Sequence, residues 1–178
     1  LTKINKTASL QRKISFVERK IELKPNEEKN ISFVFSLEEN IDEIKAEDVI
    51  KQEEVRLKKI VTDTGLINEN TEDKELIEDF IITTDSFIAY RPSFGLHTII
   101  AGYPWFLDWG RDSLIAFEGL LLKTKRFDIA KEVLLTFIRD IKYGLVPNGY
   151  SGYDNRPLYN SADASLLLFE EIKKYINY

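Results

Sequence analysis

The nine residues Leu114-Ile-Ala-Phe-Glu-Gly-Leu-Leu-Leu122 are apolar almost all the way round a helical wheel. A helix with so little polar surface has to lie between neighbours, so the chain must supply further helices to cover it. Candidates flank it on both sides. Phe127, Ala130, Leu134, Phe137, Ile138 and Ile141 form an apolar stripe on the next helix, which Gly144 and Pro147 stop. Upstream, Ile77, Phe80, Ile81, Thr84 and Ile88 share a face. Asn70 or Thr71 is placed to cap that helix, Glu72 and Asp73 suit its first turn, and a loop containing Pro92 ends it. Asn160 or Ser161 starts a last helix whose core face includes Leu167, Ile172 and Tyr175. Between these, His97-Thr-Ile-Ile-Ala-Gly102 is β-branched and reads as an extended segment. The expected fold of this part is mainly α.

The first residues have a different period. Ile14-Ser-Phe16, Ile21-Glu-Leu23 and Ile31-Ser-Phe33-Val-Phe35 alternate as half-buried strands do, with a turn-rich break at Lys24-Pro-Asn-Glu-Glu-Lys29. A pair of antiparallel strands is marginal alone in water, so these are expected to belong to a larger sheet lying mostly upstream of Leu1. Residues 37–63 are rich in Glu, Asp and Lys without Pro or Gly, as a surface helix joining two domains would be. Glu47/Lys51 and Glu54/Lys58 are spaced as favourable i,i+4 pairs, and Ile50, Leu57 and Val61 give one thin apolar stripe.

Charge and composition narrow the function classes. The 178 residues carry 25 Lys and Arg against 30 Asp and Glu, a net charge of −5, whereas a nucleic-acid partner calls for a basic face. No apolar run approaches the ~18 residues of a membrane span, and no apolar leader follows the first charges. A soluble, cytoplasmic protein is expected. The absence of Cys excludes disulfides, thiolate metal sites and cysteine nucleophiles. The chain also lacks Met, even at position 1, so residue 1 reads as an internal position of a longer protein.

Familiar catalytic machinery is missing: there is no Walker pattern, no G-x-G-x-x-G and no G-x-S-x-G. His97 is the only histidine and reads as an ordinary residue at a strand edge. What stands out is Ala101-Gly-Tyr-Pro-Trp-Phe-Leu-Asp-Trp-Gly-Arg-Asp-Ser113. Arg111 and Asp112 sit at the start of the apolar helix. A guanidinium only donates hydrogen bonds and a carboxylate only accepts them, while each sugar hydroxyl does both. An adjacent Arg–Asp pair can therefore clamp neighbouring hydroxyls of a pyranose with charge-assisted bonds. Trp105, Trp109 and Tyr103 supply flat apolar faces for the C–H side of a sugar. The competing reading is an Arg111–Asp112 ion pair buried as a helix cap, away from any ligand. Asp108 and Asp112, four apart, form another possible carboxylate pair, but no further oxygen ligands cluster nearby, so neither a metal nor any other cofactor is expected.

Ile99-Ile-Ala-Gly-Tyr-Pro-Trp-Phe-Leu-Asp-Trp-Gly-Arg-Asp-Ser113 resembles the signature of the C-terminal glucosidase domain of glycogen debranching enzymes. Phe127 to Arg139, Gly144-Leu-Val-Pro-Asn-Gly149 and Tyr159-Asn-Ser-Ala-Asp-Ala164 resemble later elements of that domain in order and spacing, with Val146 a departure. The resemblance implies an (α/α)6 barrel with its active site in the loops at one end. The implied organisation is the last strands of a β-sandwich over 1–36, a linker helix region over 37–69, and the first barrel helices over 70–178. It also implies hydrolysis of α-1,6-linked glucose at glycogen branch points with inversion, one carboxylic acid protonating the leaving oxygen and another activating water. Arg111 and Asp112 match an Arg–Asp pair that holds the terminal glucose in related barrels. Together with Trp109, Trp105, Tyr103 and Asp163 they make the expected substrate-binding set. By the family's layout both catalytic acids follow the Tyr-Asn-x-x-Asp-Ala element, so none is expected here. The expected partner is an α-glucan, and self-association through exposed barrel helices is expected of the isolated chain. A glucoamylase- or trehalase-type relative and a non-catalytic carbohydrate-binding module are the alternatives.

Overall fold

The computed structural model describes residues 22–29, 31–32, 44–104, 106–152 and 154–178. The chain divides into two units, Leu1–Ala46 and Glu47–Tyr178. In the first, Pro25 and Asn26 form a tight turn in which the Glu27 amide donates to the Lys24 carbonyl (3.0 Å). Asn26 takes the left-handed φ of 63° that the third position of such a turn requires. The expected strands around Ile14–Phe16 and Phe33–Phe35 lie outside the described residues. Leu23 and Ile31, at the inner edges of the other expected strands, are exposed and unpaired with any strand among the described residues.

The second unit is mainly helical. Helix α1 spans Ala46–Thr64, α2 Lys74–Ser86, α3 Gly110–Phe117, α4 Phe127–Arg139 and α5 Asp163–Asn177. Two antiparallel hairpins complete it: β1 (Ile88–Arg91) with β2 (Leu96–Ile99), and β3 (Gly149–Tyr150) with β4 (Pro157–Leu158). On α1 the Glu54–Lys58 pair does not form; Arg56 instead binds Glu53 and, outside the helix, Asp85 at the end of α2. Ile50, placed in the apolar stripe by sequence, is exposed.

Helix α2 begins later than its capping residues suggested. Asn70 and Thr71 are used in the preceding turn, where Thr71 accepts from the Asn68 amide and Asn68 accepts from the Asn70 amide, and Asp73 is the residue before the helix. Its apolar face is narrower than the period implied. Ile81 is buried, Phe80 is exposed, and Ile88 belongs to β1 rather than to the helix. Pro92 lies in the β1–β2 turn, which pairs Ile88 with Ile99 and Tyr90 with His97.

The core lies where α3, α4 and α5 meet β2. Leu114, Phe117, Leu121, Val133 and Phe137 are fully enclosed, with Leu168 from α5 against them. After α3 the chain continues through one π-helical turn, Glu118–Leu122, closed by the Lys123 amide on the Glu118 carbonyl (2.9 Å). The apolar run is nevertheless not covered all round, because Ile115 is 64% exposed. The stripe on α4 is buried through Ala130, Leu134 and Phe137, while Ile138 and Ile141 reach the surface, Ile141 beyond the helix end. On α5 the most buried positions are Ala164, Leu168 and Glu171, with Leu167, Ile172 and Tyr175 at the border of the core.

Candidate functional site

The amino end of α3 is held by close backbone packing. Gly110 donates its amide to the Asn148 carbonyl (2.8 Å). A Cβ at position 110 would stand 2.4 Å from the Pro147 carbonyl oxygen, so only glycine fits there. Asn148 then satisfies three segments at once. Its Oδ1 accepts from the Arg111 amide (3.3 Å), its Nδ2 donates to Asn160 Oδ1 (3.1 Å), and its own amide donates to Leu158 O (2.7 Å). The result brings the start of α3 beside the start of α5.

Across that junction Arg111 Nε donates to Asp163 Oδ2 at 2.5 Å. Both side chains remain about half exposed, 52% and 44%. Asp163 Oδ1 also accepts from the Ala164 amide (2.9 Å) and from the Ser161 hydroxyl. The Arg111 guanidinium holds the Asp163 carboxyl below the ordinary carboxylate range. Two open charges of opposite sign thus stand at adjoining helix ends.

Asp112 points elsewhere. Successive residues on a helix are ~100° apart, and while Arg111 turns toward α5, Asp112 lines a cleft of about 310 Å³ with Phe87, Ile99 to Gly102, Ile115, Ala116 and Leu120. It is exposed and makes no hydrogen bond or ion pair among the described residues. The buried Arg111–Asp112 cap considered from sequence does not form: both residues are exposed and the guanidinium is on Asp163. Trp109 is half-buried, its ring so close to Gly149 that a Cβ there would lie 3.3 Å from Trp109 Cε3. Tyr103 is exposed beside the edge of the Phe87 ring (6.2 Å between centroids). Trp105 lies outside the described residues.

Asp108 is not paired with Asp112. It is turned inward and buried, its carboxylate taken up by Arg91 and by the Thr98 hydroxyl (3.2 Å). Among the described residues no group of three or more His, Asp or Glu side chains is gathered as a metal would need. His97 shares Glu132 Oε2 between its ring Nδ1 (2.7 Å) and its own amide (2.9 Å), a tie between β2 and α4 that lowers the Glu132 carboxyl.

Residues 82–178 match the family model described as amylo-alpha-1,6-glucosidase. The chain belongs to that family. The matched stretch contains all six residues expected to bind substrate. The glycogen debranching enzyme of Saccharomyces cerevisiae is 37% identical over 90 residues, covering 48% of this chain and 6% of the yeast protein. The chain therefore spans about 6% of the length of that curated relative. No solved structure matches.

Within the family stretch, Asn148 is the residue that sequence reasoning missed. Its signal was Pro147-Asn-Gly149, of which Pro147 alone, with Gly144, reads as a helix stop; an asparagine between a proline and a glycine is well placed to bond neighbouring backbone.

Proposed function

We propose that this chain supplies the glucose-holding part of a debranching glucosidase, in which the whole protein hydrolyses α-1,6-linked glucose at glycogen branch points with inversion. In this reading α2 to α5 open an (α/α)6 barrel, the strands before them end a β-sandwich, and the catalytic acids are contributed from outside these residues. Arg111, Asp112 and Asp163 hold hydroxyls, and Trp109, Trp105 and Tyr103 face the C–H side of the sugar. The enzyme works on cytoplasmic glycogen, and the exposed Ile115, Leu166 and Phe169 give the isolated chain a face for self-association.

The observation that carries the reading is the Asp112 carboxylate, without a partner among the described residues, at an open, mostly apolar cleft one residue from the exposed Arg111–Asp163 pair. A sugar presents the matching surface, apolar C–H faces ringed by hydroxyls that donate to carboxylates and accept from guanidinium. Glucose release by the whole protein from branched limit dextrin, maltose and trehalose tests the specificity. Release from limit dextrin alone is expected. Preference for maltose or trehalose would move the protein to a glucoamylase- or trehalase-type activity, and no release from any, with glucan still bound, would leave a binding module.

A further inference from the structure

The segment that carries Tyr103 and Trp109 is anchored from beneath by Arg91 of β1, which the substrate-binding reading does not use. One amino group of Arg91 binds the buried Asp108 carboxylate, immediately before Trp109. The other donates to Asn155 Oδ1 (2.7 Å), in the connection between β3 and β4. The Arg91 side chain is only 16% exposed and its guanidinium carbon lies 4.4 Å from the centre of the Phe94 ring, which restricts its plane. The two segments it joins also touch directly, since a Cβ on Gly152 would lie 3.4 Å from Leu107 Cδ1. Asn155 in turn donates its amide to the Ser151 carbonyl (3.1 Å), closing its loop.

We propose that Arg91 is a positioning residue for glucan binding: it sets the spacing between the Gly102–Trp109 segment and the Ser151–Arg156 loop, and so where Trp109 and Arg111 stand toward the sugar. The proposal rests on the substrate-binding reading above. The planar guanidinium is what makes the tie double. Its separate amino groups serve a carboxylate and an amide oxygen at once, which a lysine ammonium at the same place does not reproduce. Burial of Asp108 fixes one end, and the exposed Asn155 bond is the end that can be removed without opening the core.

Asn155 makes that removal possible without straining its loop. Its φ of 56° is a left-handed conformation that glycine adopts freely. Asn155→Gly therefore keeps the loop backbone and deletes the bond to Arg91, together with the longer one (3.4 Å) that Asn155 Oδ1 accepts from the Ser93 hydroxyl. Arg91→Lys keeps a cation on Asp108 and loses the second arm. The test is titration of maltoheptaose into the whole protein carrying Asn155→Gly, Arg91→Lys, both together, or Asp112→Asn, with amide exchange followed in residues 102–109 and 151–156. Each positioning variant is expected to weaken binding about tenfold. The double variant should be no weaker than either single one, and exchange should quicken in both segments. Wild-type binding by Asn155→Gly and Arg91→Lys, with Asp112→Asn impaired, would overturn the positioning role and leave the sugar site intact. Additive losses would also overturn it, since Asn155 would then act without Arg91. Wild-type binding by Asp112→Asn as well would remove the sugar site itself, and the proposal with it.

Discussion

Two arginine–aspartate pairs flank the Trp109 segment, and they differ in almost everything but chemistry. Arg91–Asp108 lies beneath it with the side chains 16% and 3% exposed, while Arg111–Asp163 lies at its end with 52% and 44% exposed. In the first pair Thr98 supplements the bonds to the carboxylate and aromatic rings wall off the guanidinium. Water has little access, so removing either member strands a charge in the interior. In the second, solvent already competes for both groups, and a hydroxylated ligand can replace water there at little cost. Under the proposed function one sequence segment is fixed and receptive together: the buried pair ties down the backbone, and the open pair is the one a ligand would meet.

The comparison breaks most visibly at the buried pair. Asp108→Ala leaves Arg91 without its carboxylate, and a loss of about 3–5 kcal/mol is expected in urea denaturation. A loss below about 1 kcal/mol, the usual range of surface pairs, would erase the distinction.

Next comes the open side. Asp112→Asn preserves shape and removes an exposed charge with no partner among the described residues, so the midpoint of unfolding should fall only slightly, by the small helix-end contribution of a first-turn carboxylate. Glucan binding should weaken by about 1.5–3 kcal/mol, the range for a hydrogen bond to a charged group. Calorimetric titration with maltoheptaose reads both sides of that expectation, and equal affinity would return Asp112 to an ordinary surface residue.

A third carboxylate sharpens the rule that burial needs full partnership. Glu171 on α5 is buried with Oε1 on Lys174 (2.8 Å), but its Oε2 has no hydrogen-bond partner among the described residues. Burial raises its pKa, with Lys174 opposing that shift. A raised folded-state pKa means that the native chain holds the proton longer than the unfolded one. Stability from this group is present below the ordinary Glu value of about 4.3 and is lost as pH climbs through the raised value. Glu171→Gln is therefore expected to stabilise the protein at pH 7, by about 1 kcal/mol on the scale of an unsatisfied buried acceptor, and to gain little at pH 4. Thermal melts at the two pH values check it.

A smaller stability effect than that at Glu171 is expected at Asp163. Its lowered pKa has the opposite sign: the contribution is present above the ordinary Asp value of about 3.9 and disappears as pH falls through the depressed one. Because the pair is open, Arg111→Ala should leave the melting temperature at pH 7 nearly unchanged while reducing this acid-limb dependence to what the Ala164 amide sustains. A large drop in melting temperature would make the pair structural.

These contrasts explain which parts of the molecule could be read from sequence. The α4 stripe was legible because Ala130, Leu134 and Phe137 repeat with the helical period and all face the core. On α5 the same reasoning chose Leu167, Ile172 and Tyr175 as the core face. Those three do pack against the core, but the helix turns Leu168 and Glu171 deepest, and a partly paired glutamate looks solvent-facing by hydropathy. Strand β1 was hidden, since Ile88 continues the spacing of α2 and four residues carry too little alternation to compete. At the site, the segment itself was legible, but the fates of Asp108 and Asp112 were not. Their partners lie far off in sequence: Arg91 captures Asp108 from a preceding hairpin, and Asp163 draws Arg111 away from Asp112. Local spacing alone offered Asp112 as the natural partner of either neighbour.

The most direct test of the sugar-binding site is a crystal structure of the whole protein with maltotriose bound. A glucose unit hydrogen-bonded to Asp112 and Arg111, with Arg91 still on Asp108, is the expected result. A sugar bound elsewhere, with Asp112 covered by another side chain of the same protein, would contradict the account.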